Sequence, residues 1–257
     1  MRAETNLRIF ITALVLALFF SLVVSVAAVV LKPIQSKNED MDRNRNVLKA
    51  AGIESGEMEE VFKSVEYFYY DIGDHKVTKI KDIGTYFKNF KRIISDPEKS
   101  IKISETELPG IKRIPRKVPF YVFYRDGKID CIVLPIFGNG LWSTMYGFIG
   151  INSDGKTVRG LTFYDQKETP GLGGEVDNPL WKKQWKGKVI YDEEGKLRLK
   201  VVKGKSDPNR PSFVYEVDGI SGASMTTIGV DGLVRFWLED KRFGKLLKDI
   251  GKRGSLN

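Results

Sequence analysis

Hydrophobic positions along the 257-residue chain fall into three regimes, of which the first is an unbroken apolar block, Ile9–Leu31 (IFITALVLALFFSLVVSVAAVVL), bracketed by Arg8 and Lys32. At 1.5 Å per residue such a helix is about 34 Å long, enough to cross a hydrocarbon core of about 30 Å. A retained membrane anchor is the expectation. The competing reading is a secretory signal peptide cut near Ser25-Val26-Ala27, which would release a soluble protein, but its apolar core would run only about 7–15 residues. Pro33 is expected to discourage continuation of the helix. This divides the beginning of the chain into a short tail (1–8), a span (9–31) and a charged stalk or helical extension (32–46).

The second regime has helical spacing. NVLKAAGI (46–53) reads as a first helical piece, and SGEMEEVFKSVEYF (55–68) as another, with Ser55 at its cap and Met58, Val61 and Phe62 on one face. IGTYFKNFKRIIS (83–95) repeats that spacing. From Val118 the pattern becomes that of strands: VPFYVFY (118–124), IDCIVLPIFG (129–138), YGFIGIN (146–152) and TVRGLTFY (157–164). The turns RDGK and SDGK suit tight hairpins, because Asp-Gly readily takes positive φ. WKGKVIYDEEGKLRLKVVKG (185–204) reads as a further hairpin, Val214–Val217 as a strand end, and GVDGLVRFWLEDKRFGKLLKDI (229–250) as a helix whose apolar face holds Val230, Leu233, Val234 and Trp237. The fold class is α+β: one transmembrane helix, then one domain with an antiparallel sheet and flanking helices.

Charge adds less than its size suggests. The net +9 suits nucleic acid or an anionic membrane surface equally, and no aromatic-and-basic motif points to nucleic acid. Arg2 and Arg8 precede the span while Lys32, Lys37, Arg43 and Arg45 follow it. Applied naively, the positive-inside rule puts the domain in the cytoplasm, but the rule weakens for long domains and leaves the side open. A single span without an internal charge supplies no ion pathway of its own. With one cysteine, Cys131, and one histidine, His75, no intrachain disulfide, zinc cluster or histidine triad is expected, and no metal site.

Two segments carry candidate chemistry. KETPGLGGEVDNPLWKKQW (167–185) packs Gly171, Gly173 and Gly174 around Leu172 after Thr169-Pro170. Such a loop lets backbone N–H groups approach a planar ligand or an anion; it also fits an ordinary Gly-Pro surface loop. DGISGASMTTIGVDGL (218–233) places Ser221, Ser224, Thr226 and Thr227 around Gly222-Ala223, where the last helix begins. Helix capping explains one hydroxyl, worth about 0.5–2 kcal/mol. Binding or attachment of an anionic group at the helix N-terminus explains several. On the residues alone both readings stand.

The second segment resembles the covalent flavin-attachment motif of the FMN-binding domain family, Asp-x-x-Ser/Thr-Gly-Ala-Thr, and YDQKETPGLGGEV is similar to that family's flavin-contacting loop. With GLWSTMYGFIGI (140–151) and the N-terminal span, the likeness extends over most of the chain to the C subunits of sodium-translocating NADH:quinone reductases. The G subunits of Rnf electron-transport complexes are the related alternative, and a membrane-anchored scaffold without flavin is the reading from another class. The resemblance implies FMN joined through its phosphate to a hydroxyl by a separate flavin transferase. The family's acceptor is a threonine; the matching position here is Ser224, a departure that leaves Thr226 as the fallback. Asp218 matches the acidic residue, taken to serve recognition by the transferase. Thr169, Gly171, Leu172 and Gly173, with Ser221, Gly222, Thr226 and Thr227, would lie against the cofactor. Trp142 and Ser143 are weaker members, since a tryptophan in an apolar run usually packs in a core.

The resemblance further implies a domain over 47–257 on the periplasmic side of a bacterial inner membrane. It would pass electrons between an iron–sulfur-bearing membrane pair and the FMN of the neighbouring B subunit, in a complex that runs from NADH to ubiquinone and expels sodium. No residue of this chain is expected to do substrate chemistry; the flavin supplies it.

Overall fold

The computed structural model describes residues 2–53, 61–62 and 64–256, with side chains from residue 7 onward. It forms two compact units, residues 1–43 and 44–257. Most of α1 (Arg2–Ala50) makes up the first. Residues 7–35 are exposed around the whole circumference of the helix, and its stretch 9–31 is apolar on every side, the pattern of a helix buried in a larger protein or in a membrane. Pro33 does not stop it: α1 runs through the proline. The loss of one hydrogen bond and the local clash cost about 3 kcal/mol, and the intact turns on either side of a 49-residue helix outweigh that.

Its last turn belongs to the second unit. Val47, Leu48 and Ala50 are buried in a cluster with Tyr121, Val133 and Phe148. Gly52, at φ +70°, ends the helix. Its N–H bonds to Lys49 O at 3.0 Å and that of Ile53 to Leu48 O at 2.9 Å, the paired bonds of a Schellman stop.

The main sheet is built from β1 (Val65–Asp71), β2 (Lys76–Ile80), β5 (Lys117–Arg125), β6 (Lys128–Asn139), β7 (Thr144–Asn152) and β8 (Val158–Asp165). These six strands lie in the order β2-β1-β5-β6-β7-β8, every neighbouring pair antiparallel. β3 (Ser100–Lys102) and β4 (Arg113–Pro115) form a separate ladder. Successive residues of β5 and β6 feed opposite cores. Phe120, Val122, Ile132 and Leu134 join the cluster that contains Trp237, and Tyr121, Phe123, Cys131 and Val133 join the cluster around the end of α1. A sheet covered on both faces explains why these strands read as continuous apolar runs. The Asp126-Gly127 turn has positive φ at both residues, 52° and 73°, the backbone that a two-residue hairpin demands.

Four expectations fail, three of them because partners distant in sequence override local spacing. The helix expected over 55–68 gives way at Val65 to β1, whose seven residues pair with β5 on one side and β2 on the other. Val61 and Phe62 are helical, while Ser55 and Met58 lie outside the described residues. The helix over 83–95 is split at Asn89 into α2 (Gly84–Lys88) and α3 (Phe90–Ser95). The hairpin over 185–204 is reduced to one bridge, Tyr191 to Leu197; β9 (Lys200–Val201) pairs instead in parallel with β10 (Glu216–Val217). The last helix is interrupted: α5 (Ser224–Leu238) and α6 (Lys245–Arg253) are separated by a π-type turn over Asp240–Gly244. That turn carries Phe243 into the core, with ring centroids 5.6 Å from Trp237 and 5.8 Å from Tyr70. Burial of one more aromatic ring outweighs the unbroken helix.

Candidate functional site

Three segments converge at one edge of the domain: the Gly140–Ser143 loop between β6 and β7, the Lys167–Gly174 loop after β8, and Asp218–Thr227 leading into α5. Each is brought there by an element with its own reason to form. β6 and β7 are in register up to Asn139–Thr144. β8 delivers the glycine loop, and α4 (Pro179–Lys183), started by Asn178 with Pro179 behind it, anchors the far side through Trp181 Nε1–H donating to Asp218 O at 2.8 Å.

The four hydroxyls of the third segment divide into two pairs. Thr226 is 1% exposed and donates to Glu168 Oε2 at 2.7 Å. Thr227 is buried too, and its Oγ1 accepts from Ile220 N–H at 3.0 Å. Ser221 and Ser224 are exposed. Ser224 is the first residue of α5, behind Ala223, and no side chain caps the helix. The N–H groups of a helix's first turn have no partner within the helix and carry the positive end of its dipole. Capping therefore does not account for the cluster: two hydroxyls hold the fold, and two face solvent at an open helix N-terminus. Gly222, at φ +74°, lies between them with Leu172 alongside.

Of the glycine loop, Thr169, Gly171 and Leu172 are exposed and Gly173 is buried. A Cβ on Gly173 would stand 2.5 Å from Thr226 Oγ1 and 2.8 Å from Glu168 Oε2. Its lack of a side chain serves the approach of those two groups rather than the open face. Trp142 departs from the core position its type suggests: it is 72% exposed. Ser143 Oγ accepts from Lys167 N–H at 2.9 Å and donates to Glu168 Oε1 at 3.3 Å. Asp218 is half-buried, and its Oδ1 accepts from Ser206 N–H at 2.8 Å and Ser206 Oγ–H at 2.7 Å. That carboxylate oxygen secures a neighbouring loop.

Two features escape sequence reasoning. Glu168 is 5% exposed and links all three segments; its chain neighbours are polar, and only the fold reveals the burial. Burial pushes its carboxyl up, but the Thr226 hydroxyl and the Trp142, Leu141 and Ser143 N–H groups together hold it below the usual carboxylate value. The second feature is the group of exposed apolar side chains on these segments, Leu141, Trp142, Leu172 and Met225, with Ile228 just beyond them. The glycine count of the loops hinted at a ligand, yet nothing in the spacing marked these positions as uncovered. Apolar surface left open beside a hydroxyl and free N–H groups suits a ligand with an anionic end and an aromatic body.

The FMN-binding domain family model matches residues 140–239, a range that contains all three segments. The chain is 40% identical to the C subunit of the Na(+)-translocating NADH-quinone reductase of Pseudomonas aeruginosa, with 97% of each covered. It is 39% identical to the corresponding C subunit of Yersinia pestis, with 96% of this chain and 93% of that one covered. The crystal structure of Shewanella oneidensis NqrC matches the fold with a TM-score of 0.74 at 30% identity, covering 84% of this chain and 99% of its own.

Proposed function

The chain belongs to the C subunits of sodium-translocating NADH-quinone reductases, and from that premise we propose that it is a membrane-anchored electron-transfer protein of such a complex, with FMN held as a phosphoester on Ser224. The observation that carries this reading is the division of the hydroxyls. Ser224 is exposed at the first position of an uncapped helix, while Thr226, the fallback acceptor, is buried and committed to Glu168. A serine oxygen forms the same ester as a threonine oxygen, and the phosphate left on it would sit where the first-turn N–H groups and the helix dipole favour negative charge.

FMN supplies the redox chemistry; the chain's residues hold and orient it. Thr169, Gly171 and Leu172 offer an open loop edge, Leu172 and Trp142 add apolar surface, and Ser221 and Gly222 keep the approach to Ser224 clear. A covalent tether and an anchor suit a relay, because a carrier that never loses its cofactor meets its partners at high effective concentration. We place the anchor at 9–31, the stalk at 32–46 and the flavin domain at 47–257, on the periplasmic side of the inner membrane. There it would exchange electrons with an iron–sulfur-bearing membrane pair and with the FMN of the neighbouring B subunit, within a complex that oxidises NADH and reduces ubiquinone. Asp218 would also serve the transferase through the carboxylate oxygen that Ser206 leaves free.

The test is co-expression of the full chain with an exported flavin transferase, a denaturing gel under ultraviolet light, and peptide mass mapping. Fluorescence that survives denaturation, with the adduct on Ser224, is the expected result. An adduct on Thr226 would move the site. A dark wild-type band beside a fluorescent Ser224→Thr band would replace the flavin carrier with the flavin-free scaffold.

A further inference from the structure

Glu168 is surrounded by donors alone. Oε1 accepts from Trp142 N–H at 3.0 Å, Ser143 N–H at 3.1 Å and Ser143 Oγ–H at 3.3 Å. Oε2 accepts from Leu141 N–H at 3.1 Å and Thr226 Oγ–H at 2.7 Å. Three successive backbone N–H groups pointing one way form a nest that binds anions, and here the chain fills it with its own carboxylate. Glycines make room on both sides: a Cβ on Gly140 would meet Glu168 Oε1 at 2.6 Å, and one on Gly173 would meet Oε2 at 2.8 Å.

The charge has a drawback at this location. Through Thr226 it is bonded to the turn of α5 that begins with Ser224, and a buried anion there opposes a second anion on the same turn. An uncharged residue would serve phosphate better. What a carboxylate supplies and an amide does not is acceptance at both oxygens. A glutamine would turn an NH₂ group toward either the Trp142 and Ser143 donors or the Leu141 N–H, leaving donor facing donor. The geometry of the clamp is thus matched to a carboxylate, and what it clamps is the loop carrying the exposed Trp142 to the helix start carrying Ser224.

We propose that Glu168 is the positioning residue of the flavin seat: through these five hydrogen bonds it fixes the Trp142 loop against the first turn of α5 and so sets where a Ser224-linked flavin rests. The proposal depends on the Ser224 reading above, and the experiment separates the two. Wild type, Glu168→Gln, Thr226→Val and Thr226→Ser, as full chains in detergent and co-expressed with the transferase, are compared in three ways: hydrogen exchange over 141–143 without flavin, the fraction of chain carrying flavin, and visible circular dichroism per bound flavin.

In Glu168→Gln the 141–143 amides exchange about tenfold faster or more, loading falls several-fold, and the flavin that is bound shows an altered visible spectrum. Thr226→Val shifts the same readouts less, and Thr226→Ser restores them. A purely structural role would lower the melting temperature and leave the dichroism per bound flavin unchanged. Unchanged exchange, or faster exchange with wild-type dichroism in the loaded fraction, would overturn the proposal. Should Glu168→Gln fail to fold, wild-type dichroism in Thr226→Val would overturn it equally. A wild-type chain that takes no flavin on Ser224 would instead sink the attachment reading, and the seat with it, while the exchange data would still show whether the clamp holds the loop.

Discussion

α4 and α5 both begin where a loop of glycines and polar residues turns into a helix, but their first turns are finished differently. Asn178 accepts from Leu180 N–H at 2.9 Å, and Pro179 removes one more donor that would need a partner. At α5 the residue before the helix is Ala223, no side chain caps it, and the two threonine hydroxyls within reach are committed elsewhere. A helix that could have been capped by any of several neighbouring hydroxyls, and is not, has its N-terminus available for an outside group. The contrast shows that hydroxyl content near a helix start says little by itself; the bonds those hydroxyls already make decide.

The comparison breaks most sharply at Ser224. Ser224→Ala is expected to abolish covalent flavin, read by in-gel fluorescence, while stability changes by no more than about 0.5 kcal/mol because the side chain is exposed. Gly173→Ala comes next. Its new Cβ collides with Thr226 and Glu168, so urea unfolding should show a loss of about 1–3 kcal/mol, with reduced loading. Asn178→Ala removes the cap that α5 lacks and should cost about 1 kcal/mol without removing the adduct; loss of the adduct would show that the two helix starts are not independent.

The smallest effect lies in the acid limb. Because Glu168 is held below its ordinary value of 4.5, the folded state binds its proton less readily than the unfolded state does. Its contribution is present above that ordinary value and is lost as pH falls through the lower native one. Urea midpoints measured from pH 6 down to pH 3 should fall more steeply for wild type than for Glu168→Gln, which has no charge there to neutralise.

Much of this fold is legible in the sequence. β5 to β8 appear where apolar runs and Asp-Gly turns place them, since a hairpin is a local decision in which turn chemistry and strand pattern agree. β1 does not: VEYFYYD is rich in strand-forming residues, but the helical spacing of Met58, Val61 and Phe62 just before it extends the expected helix to Phe68, and pairing with β2 and β5 decides for the strand. At the candidate site, the hydroxyl cluster and the glycine loop could be picked out from residue types and motif. The exposure of Trp142 and the burial of Glu168 could not, because both follow from how three segments separated by tens of residues are stacked.

By itself the sequence determined the elements that depend on neighbours along the chain: an apolar run long enough to span a bilayer, a set of antiparallel hairpins, an amphipathic last helix, and a hydroxyl cluster at its start. The tertiary structure alone decided which hydroxyls stay free and which carboxylate holds the loops together. Burial and hydrogen-bond partnership are properties of pairs of groups that the chain brings together only on folding. Ser224 and Thr226 differ by two positions and one methyl group, and what separates them is that only Thr226 meets Glu168.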